Sequence, residues 1–341
     1  MRAYRGGPLL GIDTSCDDTA AAVVRGGREI LSSVVASQVA LHRRFGGVVP
    51  EIASRQHLLA ILPVIQQALD EAGVRREQLE GVAATYGPGL VGSLLVGFMA
   101  GKALALALEL PFVGVDHLEG HVASAWLARP DLQGPVVVLV ASGGHTELFR
   151  AERPGRLRHL GGTRDDAAGE AFDKVGRLLD LGYPAGPAVD RLARRGRPGR
   201  VTLPRALRGS DTLDFSFSGL KTAALQHLLP AVRAGLPVED AAAELQQAIV
   251  EVLVERLFEA AERTGARAVA VTGGVAANQG LREAVAERAR RHGLEAVLPE
   301  PALCTDNGAM IAAAGHWRLL EQGPSPLEMA VDPSAQIGRG G

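Results

Sequence analysis

Cysteine is nearly absent: Cys16 and Cys304 are the only two in 341 residues, far apart and outside any CxxC pair. A disulfide scaffold is therefore excluded as a basis for the fold, and a reducing cytoplasm is the expected setting. Aromatic residues make up only 4% of the chain, too few for an aromatic-rich sandwich. Neither charge sign dominates: 36 Lys and Arg face 38 Asp and Glu, a net charge of −2. Nothing global draws the protein to nucleic acid or an anionic membrane, so such a partner would have to meet a local patch. Long apolar runs are also missing. The nearest to one, "GLVGSLLVGFMAG" at 89–101, is interrupted by glycines and ended by Lys102, so it reads as a buried helix and no membrane is expected. The opening "MRAYRGGPLLGID" has no apolar signal-peptide core and runs into a strand.

What is abundant is alanine and glycine, with 42 glycines in all. They favour helices packed closely on sheets with tight turns, an α/β class, and the length suits two lobes. "PLLGID", "TSCDDT" and "AAAVV" read as strand, polar turn and returning strand, with Asp13, Thr14, Ser15, Asp17 and Asp18 at the tip. "GPVVVLV", "ASGGHT" and "ELFRA" restate that plan far downstream, which implies an internal duplication. Helix-period segments follow each hairpin, "SRQHLLAILPVIQQALDEAG" and "AAGEAFDKVGRLLD", so two related lobes should face a common cleft. A long helix in "VEDAAAELQQAIVEVLVERLFEAAERTG" should end at Gly265 before the strand "ARAVAVT". Then "GGVAANQGLREAVAERARRHG" turns on glycines into another helix before the short strand "LEAVLP". The last helix, in "NGAMIAAAGHWRLLEQG", is expected to return to the first lobe, and the tail from Pro324 reads as loop.

Three features carry chemistry. In "VDHLEGHVASA", His117 and His121 lie four apart, on one face of a helix, and could grip one transition-metal ion given a third ligand. A zinc protease would need HExxH. Here the acid is Glu119, turned roughly 200° from His117, which excludes peptidase chemistry. Asp306, in "CTDNGAM", reads as the N-cap of the last helix. The turns "SGGHT" and "VTGGVAANQG" offer backbone N–H groups suited to phosphate oxygens, but neither is GxGxxG, which disfavours a Rossmann dinucleotide site. "DRLARRGRPGRVTLPRALRG", residues 190–209, carries seven arginines against one aspartate, a local excess that fits either RNA phosphates or a solvated loop.

The segments "GIDTSCDDT", "HLEGH", "SGGHTEL", "GEAFDKVGRLL", "GYPAGPAVD", "DFSFSGLKTA", "GGVAANQGLR" and "CTDNGAMIA" run in order along nearly the whole chain. Together they resemble the tRNA N6-adenosine threonylcarbamoyltransferase family of TsaD type, within the actin-like and sugar-kinase superfamily. The resemblance implies an α/β chain of two duplicated lobes of the actin-like/sugar-kinase ATPase fold with an interlobe cleft. Residues 8–134 would form the N-terminal lobe, with helix 306–322 packing back on it, and residues 135–305 the C-terminal lobe. It implies transfer of threonylcarbamoyl from threonylcarbamoyl-AMP to N6 of adenosine 37 in tRNAs reading codons that begin with A, giving t6A and AMP. His117, His121 and Asp306 would hold one divalent metal, iron or zinc. Val140, Ala141, Ser142, Gly143, Gly144, Asp173, Gly186, Asp190, Gly274 and Asn278 would bind substrate, and Asp13, Thr14, Ser15 and His145 would line the cleft. No general base follows from the spacing. The implied partners are tRNA, the non-catalytic paralogue TsaB and the small ATPase TsaE, with a homodimer left open. The competing readings are an ATP-dependent small-molecule kinase of the same superfamily and a non-catalytic scaffold of the modification complex.

Overall fold

The first strand explains its own apolar run. In the computed structural model, which describes residues 3–338, β1 (Pro8–Asp13) is buried along almost its whole length. Continuous rather than alternating hydrophobicity is what a strand covered on both faces requires. It pairs antiparallel with β2 (Asp18–Arg25), from Pro8 opposite Arg25 to Asp13 opposite Ala20, which leaves residues 14–17 as the turn. With β3 (Glu29–Ser37), β4 (Gly81–Gly87) and β5 (Phe112–Asp116) they make a sheet in the order β3-β2-β1-β4-β5, β4 running parallel to both β1 and β5.

The second sheet repeats this plan. β6 (Val136–Ala141) pairs antiparallel with β7 (Thr146–Arg153), which neighbours β8 (Arg156–Gly162). On its other side β6 is parallel to β9 (Ala268–Thr272), and β9 to β10 (Glu295–Val297). The order β10-β9-β6-β7-β8 is thus that of the first sheet with the same strand directions, as the duplicated hairpins required. One compact unit holds the chain up to Leu132, the segment Arg153–Leu157 and the chain from Thr305 onward; the other holds Gln133–Glu152 and Arg158–Cys304.

Small residues let a helix backbone lie directly on the first sheet. The C-terminal helix, Gly308–Glu321, packs on β1, β2 and β4 and along the helix His117–Ala128. A methyl group at Gly11 would meet the Gly308 carbonyl oxygen at 2.2 Å, and one at Gly308 would meet the Ala22 nitrogen at 2.5 Å. Only glycine on both sides permits that approach, and it fixes the start of this helix, with Asp306 just ahead of it. Among its described residues, the tail beyond it forms neither helix nor strand. Ser325 N–H donates to Phe112 O at 2.8 Å, Asp332 N–H donates to Tyr86 O at 2.8 Å, and Lys102 Nζ donates to Leu327 O at 2.6 Å.

One expectation is corrected. The apolar run at 89–101 belongs to the helix Val91–Ala107, which buries Leu94, Gly97, Phe98 and Gly101 on one face but exposes Val91, Leu95, Met99 and Leu106 on the other. It packs beside the helix Pro50–Ala72, whose Leu58, Leu59 and Leu62 are 65%, 71% and 70% exposed. Apolarity that continues around a helix suggests burial, and the same pattern arises when a second apolar face lies open. No described helix is long and apolar enough to cross a membrane.

Candidate metal centre

β5 ends at Asp116, whose carboxylate caps the following helix by accepting from Leu118 N–H at 2.8 Å and Glu119 N–H at 3.3 Å. This cap sets the helical phase at its first residue, His117, and stacks His121 one turn later. The two rings meet edge to face with centroids 4.7 Å apart. His117 is 4% exposed and His121 fully buried.

Asp306 closes the group from the far end of the chain. Its Oδ1 lies 3.2 Å from His121 Nε2 and 3.5 Å from His117 Nε2, and one ligand atom from each residue falls within 4.8 Å of the others. The N-cap expected at Asp306 is instead Asn307, whose side chain accepts from Met310 N–H at 2.9 Å. Capping is satisfied by the neighbour, so the Asp306 carboxylate is turned to the imidazoles.

Behind His117 stands a second acid. His117 Nδ1 is 3.2 Å from Asp13 Oδ2 and 3.1 Å from Ser15 Oγ, while Ser15 N–H donates to Asp13 Oδ1 at 3.0 Å. A carboxylate only accepts, so its place beside Nδ1 suits a proton on that nitrogen and leaves Nε2 directed at Asp306 and His121. Ser15 is fixed in turn by Leu90 N–H, which donates to its carbonyl at 2.8 Å. Thr14 does not face the histidines: its hydroxyl donates to Ser93 O at 2.7 Å and accepts from Gly97 N–H at 3.0 Å. Glu119 points away too, paired with Arg318 at 2.9 Å, in line with the rejected peptidase geometry.

The donors suit a cation. Burial pushes His117 toward neutrality, yet Asp306 and Asp13 outweigh it and raise its pKa to about 9, so the site draws in positive charge. Burial holds His121 low, as a neutral ligand must be, and neither of its buried nitrogens completes a hydrogen bond. Orphaned buried nitrogens are costly unless something binds them. Two imidazoles and a carboxylate match a divalent transition ion.

In the other unit, parallel β6 and β9 deliver two glycine turns to the same end of the sheet. Val140 and Ala141 are fully buried within β6, so any ligand contact of theirs runs through the backbone. Beyond them Ser142 N–H donates to His145 O at 2.8 Å, and Ser142 Oγ accepts from His145 N–H at 3.1 Å. This closes a turn with Gly143 and Gly144 exposed at its tip. Gly273, at φ +86°, approaches so closely that an added methyl would meet Ala141 O at 2.3 Å, and Gly274 beside it is exposed. Asp173 Oδ1 accepts from Ala185 N–H at 2.7 Å, next to Gly186; it does not pair with Lys174, which bridges Asp166 and Glu170. Asp190 Oδ1 accepts from Gln279 N–H at 3.1 Å, and the adjacent Asn278 caps the helix Gln279–His292 by accepting from Leu281 N–H at 2.9 Å. Asp190 and Asn278 are thereby brought together from 88 positions apart in the chain.

The profile of the family described as "TsaD: tRNA N6-adenosine threonylcarbamoyltransferase" matches residues 29–313. The chain belongs to this family. A relative from Symbiobacterium thermophilum, named tRNA N6-adenosine threonylcarbamoyltransferase, is 53% identical over 346 residues, covering 100% of both chains. Among solved structures, T. kodakarensis HypF is similar with a TM-score of 0.62 at 16% identity, over 94% of this chain and 48% of that one. Component A of (R)-2-hydroxyglutaryl-CoA dehydratase from Acidaminococcus fermentans matches at 0.57 and 16% identity, over 92% of this chain and 100% of that one. Such distant likeness carries the fold, the actin-like ATPase fold of two repeated sheets, and nothing further.

Helical spacing points to the histidines and the family motifs to Asp306, but two structural features escape both. The arginine-rich stretch is largely neutralised from within. Arg205 pairs with Glu244 and Glu251 at 2.8 Å, Arg208 with Glu255 at 3.2 Å, Arg200 with Asp240 at 3.5 Å, Arg195 with Glu239 at 3.9 Å and Arg194 with Asp190 at 2.7 Å. Most of these acids project from the helix Val238–Thr264, so the local charge excess read from sequence is answered across the fold. The contact of Asp13 with His117 was also invisible as such, because a hundred residues separate them.

Proposed function

We propose that this member of the family transfers the threonylcarbamoyl group of threonylcarbamoyl-AMP to N6 of adenosine 37 in tRNAs reading codons that begin with A. The amine nitrogen forms a bond to the carbamoyl carbon, the bond from that carbon to the phosphate oxygen breaks, and AMP leaves with the electron pair while the amine loses a proton. The donor is already activated, so no ATP is split in this step.

His117, His121 and Asp306 would hold one divalent ion, iron or zinc, which would supply a positive charge for oxygen atoms of the substrate. With the metal bound, Asp13 would favour a proton on His117 Nδ1, and Ser15 would brace the same nitrogen. The backbone N–H groups of the Ser142–Gly144 and Gly273–Gly274 turns suit the donor phosphate, as converging amides at a strand end do. Asp173, Asp190 and Asn278, with Gly186 leaving backbone room, suit hydroxyls of the ribose or the threonyl amide, since ionised carboxylates only accept.

Partner proteins complete the reading: a non-catalytic paralogue of TsaB type and a small ATPase of TsaE type, all in the cytoplasm. The open leucine face of the helices Pro50–Ala72 and Val91–Ala107 supports a protein partner, since apolar patches of that kind mark interaction sites. The observation that carries the reading is the meeting of two imidazoles and one distant carboxylate within 4.8 Å in a chain of this family. Its test is incubation of the purified chain and partners with unmodified tRNA and threonylcarbamoyl-AMP, followed by mass analysis of the nucleosides. An adenosine carrying the added threonylcarbamoyl mass, with release of AMP, is expected; metal-loaded protein that leaves every adenosine unchanged would overturn it.

A further inference from the structure

Residues 38–49 join β3 to the helix Pro50–Ala72 and are held by a buried polar network. Gln38 N–H donates to Asp17 O at 3.1 Å, its Nε2 donates to Ala53 O at 3.3 Å, and its Oε1 accepts from His42 Nε2 at 3.2 Å. His42 Nδ1 accepts from Val49 N–H at 3.3 Å. His57 Nε2 donates to Cys16 O at 2.9 Å while its Nδ1 accepts from the Thr19 hydroxyl at 2.7 Å. Both histidines are fully buried, each with one nitrogen donating and the other accepting. The connection is thus fastened to the Asp13–Asp18 turn at Gln38 and closed on itself from His42 to Val49, and the helix it enters is held to the same turn by His57.

What this mount presents is a short tip. Arg43, Arg44 and Phe45 are exposed, Phe45 by 53%, and the chain then turns at Gly46 with φ +69°. Seven residues of tight helical turns, at a rise of about 1.5–2 Å each, keep Phe45 within about 14 Å of Gln38. Phe45 serves no described core, and no ion pair of Arg44 occurs among the described residues. A rigidly mounted aromatic ring flanked by cations differs from the leucine face that suits a protein partner. It also differs from the arginine-rich stretch, whose charge is spent internally.

We propose that Arg44 and Phe45 form an RNA-contact tip: Phe45 stacks an unpaired base flanking the target adenosine, and Arg44 meets a neighbouring phosphate. The inference rests on the tRNA reading above and adds where the RNA is gripped. An amine on a base in a stacked loop is reached only when the nucleotide is splayed out. The flanking bases then lose their stacking partners, and an aromatic side chain replaces them whatever their sequence.

The test is binding of a labelled, unmodified tRNA anticodon stem-loop to the assembled enzyme, read by fluorescence anisotropy, for the parent, Phe45→Ala, Phe45→Trp and Arg44→Ala. Phe45→Ala should weaken binding roughly tenfold and Phe45→Trp should restore it. Arg44→Ala should flatten the slope of log affinity against log salt by about 0.7. In turnover, KM for tRNA should rise in Phe45→Ala while KM for the adenylate does not. Binding by both alanine variants within about two-fold of the parent would overturn the proposal. Loss of a partner protein in place of RNA affinity would overturn it equally. A parent that binds the stem-loop yet modifies no adenosine would sink the transferase reading instead, and the binding series would still judge the tip.

Discussion

The β1–β2 turn and the β6–β7 turn occupy equivalent places in two sheets of the same topology, yet they are built from opposite chemistry. The first, residues 14–17 with Asp13 and Asp18 at its ends, is acid- and hydroxyl-rich, and Asp13, Thr14 and Ser15 are buried. The second, Ser142–His145, has two exposed glycines and no acid. A buried carboxylate behind an imidazole favours a cation, whereas bare amides favour an anion. One scaffold occurs twice, and the residues at the turn suit each copy to a charge of opposite sign.

The strongest way to break the contrast is to remove a donor from the acidic copy. His121→Ala or Asp306→Ala should abolish stoichiometric metal and lower t6A formation by more than about a hundredfold, beyond the loss typical of a supporting residue. Elemental analysis and nucleoside mass spectrometry check both. In the glycine copy the comparison sharpens between two alanines. Gly273→Ala puts a methyl 2.3 Å from Ala141 O at a positive φ and should cost about 3 kcal/mol or more, read by denaturant unfolding. Gly143→Ala meets nothing within 4 Å and should leave stability within about 0.5 kcal/mol, while raising KM for the adenylate.

Asp13→Asn tests the back of the acidic copy more gently. It keeps the shape but weakens the acceptor for His117 Nδ1–H, so metal affinity should fall about 10–100-fold with the fold intact, as a metal titration would show. A further effect lies away from both turns. Burial, with Arg28 nearby, lowers the pKa of His316 to about 4, and Tyr4 Oη lies 2.6 Å from its Nδ1. Unfolded histidine titrates near 6.5, so between these values the unfolded chain binds more protons. Stability from this group is complete above about pH 6.5 and is lost as pH falls toward 4. The thermal midpoint should drop over that window, and His316→Gln should flatten the decline.

Much of the fold was legible because strand, turn and helix signals are local. The two hairpins, the long helix ending at Gly265 and the strand–glycine–helix unit after it could each be read within some thirty residues. Of the candidate site, the histidine pair was legible from its helical spacing, but Asp306 became a ligand candidate only through family resemblance, its local reading being a cap. That reading missed by one residue because Asn307 caps equally well, and spacing cannot say which of two adjacent side chains turns inward. The arginine-rich stretch misled in the same manner: its acids sit on a helix thirty or more residues later.

By itself the sequence determined a duplicated α/β chain, two polar turns of opposite character and a helix presenting two imidazoles on one face. Those follow from backbone preference and side-chain periodicity, which act over a few residues. Only the tertiary structure decided which carboxylates meet those imidazoles. Asp13 and Asp306 lie at opposite ends of the chain, and they are joined because Gly11 and Gly308 allow the last helix to rest against the first strand, a contact that no local pattern encodes.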